Sequence, residues 1–362
     1  MLIGYENEAV VFMSKKKVMF CWSDISGYMA TCWRSLHNSP DIDVYVIAFQ
    51  ALTETAFTDD LMDGIPSHLL NLEERNNAQL IRELVTKQSP DVIVFCGWLH
   101  QPYTKLAFDR ALEDSKKIMA MDTPWWGTWK QYFAPIVLRS FLSKIDHVVV
   151  TGERSWQYAI RLEFKSGQIT RGVYGIDYDK WCQLYEKRNN HPWPKSFLFV
   201  GRYGMVKAID ILVEGYEIYR GMVPEPWKLV CCGKGELENL LEGKSGIENK
   251  GFVQPSVMEE IWINAGAFIL PSRFDPWPLA LVEAAASGLP IVCTDVCGSA
   301  VEVLRPLYNG LMIPPDDPLA LAKALQTIHQ NYQELPMWGV RSQQLAQPYS
   351  AQMWVKRWRE IL

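Results

Sequence analysis

Short runs of consecutive apolar residues recur along the chain, each followed by a polar loop and then by a stretch with helical spacing. Residues 17–22 (KVMFCW) end in a polar loop, 23–27 (SDISG), and lead into a helix-like stretch through Leu36. Residues 43–49 (DVYVIAF), 91–96 (DVIVFC), 116–121 (KKIMAM) and 147–151 (HVVVT) read as further strands. Residues 76–87 place Leu80, Ile81, Leu84 and Val85 at helical spacing. A run apolar on both faces suits a buried parallel strand. Strands alternating with helices build a parallel sheet covered on both sides.

The stretch 172–194 (GVYGIDYDKWCQLYEKRNNHPWP) breaks this rhythm. It is polar and aromatic, ends in two prolines and shows no sustained period, so a domain boundary is expected inside it. A second alternating set begins at Phe197 (FLFVGRYG). A helix is expected over 207–220, with Ile209, Leu212, Tyr216 and Tyr219 on one face. Strands follow at 228–232 (KLVCC), 251–253 (GFV), 267–270 (AFIL) and 290–293, with helices around 258–264 and 319–329. Ser350 is placed to cap a last helix, 351–361, in which Trp354 and Trp358 stand one turn apart. The expected organisation is a first α/β domain over 1–175, a linker over 176–193, a second α/β domain over 194–349 and a terminal helix over 350–362. Ligands of such sheets bind beyond the carboxyl ends of the strands, and two halves face to face make a cleft.

Bulk properties narrow the class. A chain of 362 residues suits two domains, and 48% apolar with 21% charged residues is globular. With 36 basic and 41 acidic residues the net charge is −5, which offers no excess to neutralise a nucleic-acid backbone. A local basic pocket for one diphosphate stays open. No apolar run reaches the roughly 18 residues of a bilayer span, and residues 1–17 lack the charged and apolar regions of a secretion signal. The eight cysteines sit mostly in apolar runs without a CxxC pair, as reduced, buried thiols of a cytoplasmic protein would. Six scattered histidines show no ligand spacing, so a zinc site is not expected; no cofactor is expected either. Lys15, Lys16 and Lys17 with exposed aromatics permit peripheral contact at the inner face of a membrane. Three lysines are equally an ordinary solvated edge.

The richest chemistry lies at 270–288 (LPSRFDPWPLALVEAAASG). It reads as strand end, loop and helix, with Pro278 at the first helical position and Gly288 as the closing residue. The N–H groups and dipole of that helix start favour a phosphate. Glu283 stands among Leu279, Val282, Ala284 and Ala285, where a carboxylate is costly without a partner. Two vicinal ribose hydroxyls would serve, and Asp275 in the loop could accept from hexose hydroxyls. Alternatively Asp275 caps a turn and Glu283 pairs with Arg202 or Arg305. Upstream, Arg202 and Lys207 frame a strand end and helix start, as a diphosphate requires. Read alone, they are two solvated surface cations.

The succession GR…K, CCGKGELENLL, GFV and LPSRFDPWPLALVEAAASGLPIV resembles the C-terminal half of a retaining family-4 glycosyltransferase of the GT-B fold. The likeness covers residues 170–330 and includes Tyr174-Gly175-Ile176-Asp177, similar to the family's interdomain N-G-V-D. The resemblance implies two Rossmann-like α/β domains facing across a cleft, with the terminal helix packing back on the first. It implies that Glu283 holds the ribose, Asp275 faces the donor sugar, and Arg202, beside Gly201, and Lys207 bind the diphosphate. Phe252 and Val253 would lie in the strand whose backbone reads the base. Activity would be metal-independent transfer of a hexosyl unit, with retention, from a nucleotide-sugar to a glycan, lipid-linked or small-molecule acceptor. A UDP-sugar is the default donor and a GDP-sugar the competitor.

The chain also departs from that pattern. The first acid is Asp275 rather than Glu, and Pro276 and Pro278 replace glycines and bring no N–H. Trp277, Leu279 and Ala280 keep theirs. A non-catalytic GT-B partner subunit that binds a nucleotide or glycan is therefore the alternative. In the first half Asp122 takes the place of a family histidine as a sugar-facing group, or simply caps the turn before Pro124. Trp98 and His100 could line the acceptor side, His100 being a bystander otherwise, and Gly27 could approach the diphosphate. A Rossmann oxidoreductase would carry G-x-G-x-x-G after the first strand, and residues 22–27 do not supply it.

Overall fold

The computed structural model of the chain describes residues 14–50 and 61–362. They form two compact units. The first runs as far as Met119 and takes in Ser143–Asp146 and Leu362; the second comprises Ala120–Leu142 and His147–Ile361.

In the first unit β1 (Lys16–Asp24), β2 (Ile42–Phe49), β3 (Ser67–Leu70), β4 (Val92–Cys96) and β5 (Lys116–Met121) lie in the order β3-β2-β1-β4-β5. The pairings of β1 with β2 and β4, and of β2 with β3, are parallel. Val18 to Trp22 of β1 are all buried, which is why this strand reads as an unbroken apolar run. Helices α1 (Gly27–His37), α2 (Ala78–Gln88) and α3 (Gln101–Leu106) follow β1, β3 and β4. Strand β3 was not expected: four half-polar residues at a sheet edge give no apolar run.

The second unit opens with α4 (Trp129–Val137), α5 (Arg139–Leu142), β6 (His147–Val150), α6 (Glu153–Arg161) and β7 (Ile169–Arg171), and β6 pairs with β7. After α7 (Tyr178–Asn189) comes a parallel sheet. Its strands are β8 (Ser196–Val200), β9 (Lys228–Cys232), β10 (Ile247–Asn249), β11 (Ala267–Leu270), β12 (Ile291–Thr294) and β13 (Gly310–Ile313). Their order is β10-β9-β8-β11-β12-β13. The strand order reverses between β8 and β11, and crevices at such points take the ligands of doubly wound sheets. Helices α8 (Ile209–Met222), α9 (Pro255–Ile263), α10 (Leu279–Ala286), α11 (Ala300–Val303), α12 (Pro318–Gln330), α13 (Leu335–Ala346) and α14 (Ala351–Ile361) complete the unit. In α8 Ile209, Leu212, Tyr216 and Tyr219 are buried, as the spacing implied, and Ile211, Val213 and Gly215 are buried with them.

Four local expectations are corrected. The stretch taken as an aperiodic linker contains α7, capped by the Asp177 side chain, which accepts from Lys180 N–H at 3.3 Å. Its inner stripe is Trp181, Leu184, Tyr185 and Arg188, and a buried cation in that stripe hides the helical period from a hydropathy reading. Arg188 donates to the carbonyls of Ser287 (2.7 Å) and Trp262 (2.6 Å), near the ends of α10 and α9. Burial pushes its pKa down to about 9. The strand expected at 251–253 lies earlier, at Ile247–Asn249, because Gly251 takes φ +61° and turns the chain off the ladder. The helix expected from 207 begins at Ile209, after a 3-10 turn over Met205–Lys207 and a left-handed Ala208 (φ 56°). Pro278 is the N-cap of α10 rather than its first residue.

The terminal helix forms where it was expected, with Ser350 at its start. Ser350 Oγ accepts from Met353 N–H at 3.2 Å. Trp354 and Trp358 stack at 4.9 Å and donate their indole N–H groups to Val173 O (2.9 Å) and Gly172 O (3.0 Å). All eight cysteines are free thiols.

Gly288 closes α10 in a left-handed conformation (φ +70°), with Leu289 N–H bonded to Ala284 O and Gly288 N–H to Ala285 O, both at 3.0 Å. A Cβ there would lie 2.4 Å from Tyr185 Cδ2. Gly288→Ala is expected to destabilise the chain by about 2 kcal/mol. A lowered urea midpoint against the parent checks this; an unchanged midpoint contradicts it.

Candidate functional site

The carboxyl ends of β8 and β11 meet at the switch point, and each releases a loop that the fold pins. After β8, Gly201 N–H bonds to Cys232 O (3.0 Å) and Tyr203 N–H to Lys234 O (2.9 Å). The 3-10 turn that carries Lys207 is stapled by Arg273, just beyond β11. Arg273 N–H reaches Val206 O (2.9 Å), and its guanidinium donates to Met205 O (2.8 Å) and Asp316 (2.5 Å). It also grips both carboxylate oxygens of Asp210 (2.8 and 2.6 Å). These bonds hold the Asp210 carboxyl below the usual range.

Lys207 Nζ forms an ion pair with Asp275. Asp275 is only 7% exposed. Burial raises its pKa, and the Lys207 ammonium and the Trp277 N–H, which donates to its carboxylate, pull it back only part of the way. The charge of Asp122 acts in the same direction as burial, so the two aspartates lie within electrostatic reach. Asp122 follows β5. It accepts from the Tyr174 hydroxyl at 3.1 Å, and its carbonyl accepts from Ser155 Oγ at 3.1 Å.

The loop 275–278 is rigid for identifiable reasons. Gly298 N–H bonds to Asp275 O (2.9 Å), and Ser299 Oγ donates to Pro278 O (3.0 Å). A Cβ at Gly298 would sit 1.7 Å from Pro276 O, so only glycine lets the backbones approach this closely. The Trp277 ring is buried against Tyr349 at 5.6 Å, and a Cβ at Gly152 would lie 2.6 Å from it. Trp277 is thus an anchor by its side chain, and its N–H serves Asp275.

Helix α10 leaves this loop with the N–H groups of Leu279 and Ala280 free of intrahelical acceptors. Glu283 stands on its second turn. Part of the residue's surface is open, yet its carboxyl is desolvated enough to be pushed up to about 7, against the opposing charge of Lys180. Among the described residues it forms no hydrogen bond or ion pair, so the pairing with Arg202 or Arg305 weighed from sequence is not formed. Arg202 is exposed, without an ion pair among the described residues. Phe252 is exposed and Val253 half-buried, in the loop after β10.

The remaining candidates lie in the first unit, at its own switch point. Gly27 opens α1 after β1, and Trp98 and His100 follow β4; Ser23 Oγ and Cys96 Sγ meet between them at 3.5 Å. His100 Nε2 bonds to Arg75 O (2.8 Å), its ring packs on Phe49 and Tyr103, and burial lowers its pKa. Among the described residues no group of three or more His, Cys, Asp or Glu side chains converges on a common point. The residues that sequence reasoning missed are Arg273, Asp210, Asp316 and Tyr174. An arginine whose partners lie 63 and 43 positions away carries no spacing signal.

Comparison with known proteins bears on the fold and the class. Residues 194–331 match the family model described as Glycosyl transferases group 1. An exopolysaccharide phosphotransferase of Streptomyces coelicolor is 32% identical over 234 residues, 63% of this chain and 24% of that protein. An uncharacterized glycosyltransferase of Methanocaldococcus jannaschii is 25% identical over 201 residues, 54% of this chain and 46% of its own. The chain thus spans less than half the length of these relatives. Among solved structures, Anabaena HepE in complex with UDP superposes with a TM-score of 0.73 at 15% identity, covering 95% of this chain and 99% of that one. The fold is GT-B, two α/β units built on parallel sheets.

The Glu283 carboxyl gives a pH dependence with a definite sign. Its pKa is raised from 4.5 to about 7 in the folded chain, so the folded state binds more protons between those values. Stability should therefore fall as pH rises through that window, by on the order of 3 kcal/mol from this group. The difference between parent and Glu283→Gln, followed by denaturation from pH 4 to 8, isolates it. Parallel profiles would show that the carboxyl is not desolvated.

Proposed function

We propose that this chain is a retaining glycosyltransferase. It moves a hexosyl unit from a nucleoside diphosphate sugar, uridine rather than guanosine, to a hydroxyl of a glycan, lipid-linked or small-molecule acceptor. The observation that carries the reading is Glu283, a desolvated carboxylate without a protein partner, one turn beyond a helix start. A desolvated acid is satisfied by donors a ligand brings, and two ribose hydroxyls are such donors. The match over 194–331 and the complexes of Anabaena HepE with UDP and with UDP-glucose support it.

In this reading Arg202, Lys207 and the N–H groups of Leu279 and Ala280 receive the diphosphate. Asp275, oriented by Lys207 and its bond from Trp277 N–H, accepts from donor-sugar hydroxyls, with Asp122 beside it. The bond from the anomeric carbon to the β-phosphate oxygen breaks. The acceptor oxygen bonds to the same face of that carbon, and its proton passes to the departing phosphate. Lys207, Arg202 and the helix start stabilise the charge that develops there. No resident metal or cofactor is assigned a part.

A second reading, a nucleotide-binding partner without turnover, has one observation in its favour. Pro276 and Pro278 bring no N–H and the Trp277 N–H is taken by Asp275, so the turn offers a donor sugar few amides. Incubation with a panel of nucleotide-sugars separates the two. Transfer predicts release of nucleoside diphosphate with at least one donor; tight nucleotide binding with no release from any donor selects the second reading.

Glu283→Ala should weaken nucleoside diphosphate binding on the order of a hundredfold while thermal unfolding shows an intact fold. Calorimetric affinity equal to the parent's would remove Glu283 from the site. Lys207→Ala should lower turnover by about a hundredfold, beyond its effect on stability. Equal single-turnover rates would end its assigned role.

A further inference from the structure

Helix α4 has a face that the second unit leaves open. Gln131 and Ala134 point inward, and Phe141 of α5 continues that side. The opposite side carries Trp129, Tyr132, Phe133, Ile136 and Val137 at three- and four-residue spacing, each between 56% and 77% exposed. Water-facing helix surfaces are normally polar, and a contiguous apolar stripe marks a surface meant to be covered.

The charges around it indicate by what. Residues 123–145 contain Lys130, Arg139 and Lys144 and no Asp or Glu, in a chain of net charge −5. Lys130 Nζ stands 5.8 Å from the Trp129 ring. Arg161 of α6 lies 4.5 Å over Trp125, whose ring is 4.9 Å from Tyr132. Lys130, Arg139 and Arg161 form no ion pair among the described residues. The apolar face is thus edged with uncompensated cations. A second copy docked by two-fold symmetry would set these cations against each other.

We propose that the open face of α4 docks this protein on a lipid bilayer that carries anionic headgroups. Trp and Tyr rings suit the headgroup level, Phe133, Ile136 and Val137 the acyl boundary, and Lys130, Arg139 and Arg161 the lipid phosphates. Among the described residues no helix is long and apolar enough to cross a membrane, so the contact is with its surface. Between Asp122 and α4, Trp126 packs on Phe274 at 5.3 Å, next in sequence to Asp275. The docked face is therefore tied to the candidate site. The surface is argued independently of the transfer reaction, and its test uses no donor.

The full chain is to be floated with phosphatidylcholine vesicles, with and without phosphatidylglycerol, at low and high salt. Binding is expected with the anionic vesicles and about tenfold weaker with phosphatidylcholine alone. A similar loss is expected for Phe133→Ser/Ile136→Ser and for Lys130→Glu/Arg139→Glu, whose thermal unfolding should match the parent's because the replaced side chains are exposed. Equal binding to both vesicle types, equal binding by the variants, or no binding by the parent would each overturn the proposal. So would a parent dimer, seen by sedimentation, that the Phe133→Ser/Ile136→Ser change breaks while vesicles are ignored.

Discussion

Taking a carboxylate out of water costs several kcal/mol unless a cation and N–H donors replace the lost hydration. Asp275 is in that position, and much of the second unit is arranged to answer it. Lys207 supplies the cation and Trp277 the N–H. Lys207 can serve only because Arg273 staples its turn to the end of β11 and to Asp210. Asp275 stays put because Gly298 accepts the backbone of the loop at a distance no side chain would allow. The ion pair therefore depends on a second charged cluster, Arg273 with Asp210 and Asp316, and on a close backbone approach at Gly298.

Glu283 meets the same problem with the opposite result. It is desolvated on its helix, receives no donor from the protein, and its pKa moves to about 7. One acid is paired within the protein and the other has no hydrogen bond or ion pair among the described residues. This difference in environment, rather than the identity of the residues, sets the two acids apart. The buried Arg188 supports the second acid from behind, since it ties α7 to the carboxyl end of the helix that carries Glu283.

The same physics runs in reverse on α4. There apolar side chains are left in water instead of charges being left in the core, and the surrounding cations lack acidic partners. The exposed apolar stripe is the unfavourable feature, and the hydrated cations beside it cost the free chain little. They sit on one stretch with Trp126, which touches the loop holding Asp275.

Residues 270–288 announced themselves in the sequence, and so did the central strands. Runs such as VIVFC and AFIL are apolar because parallel strands are buried on both faces, a local consequence of a global fold. The helix start, to within one residue of Pro278, the closing Gly288 and the acid in an apolar stretch were legible for the same reason. The edge strand β3 was too short and polar to show, and α7 was masked by the buried cation of Arg188. The sequence determined the two α/β sets, the strand ends and the residue types waiting there. Only the tertiary structure decided which of them meet. The pairing of Lys207 with Asp275, the grip of Arg273 on Asp210 and the isolation of Glu283 depend on the strand order reversing between β8 and β11, and no local pattern encodes contacts between residues so far apart in the chain.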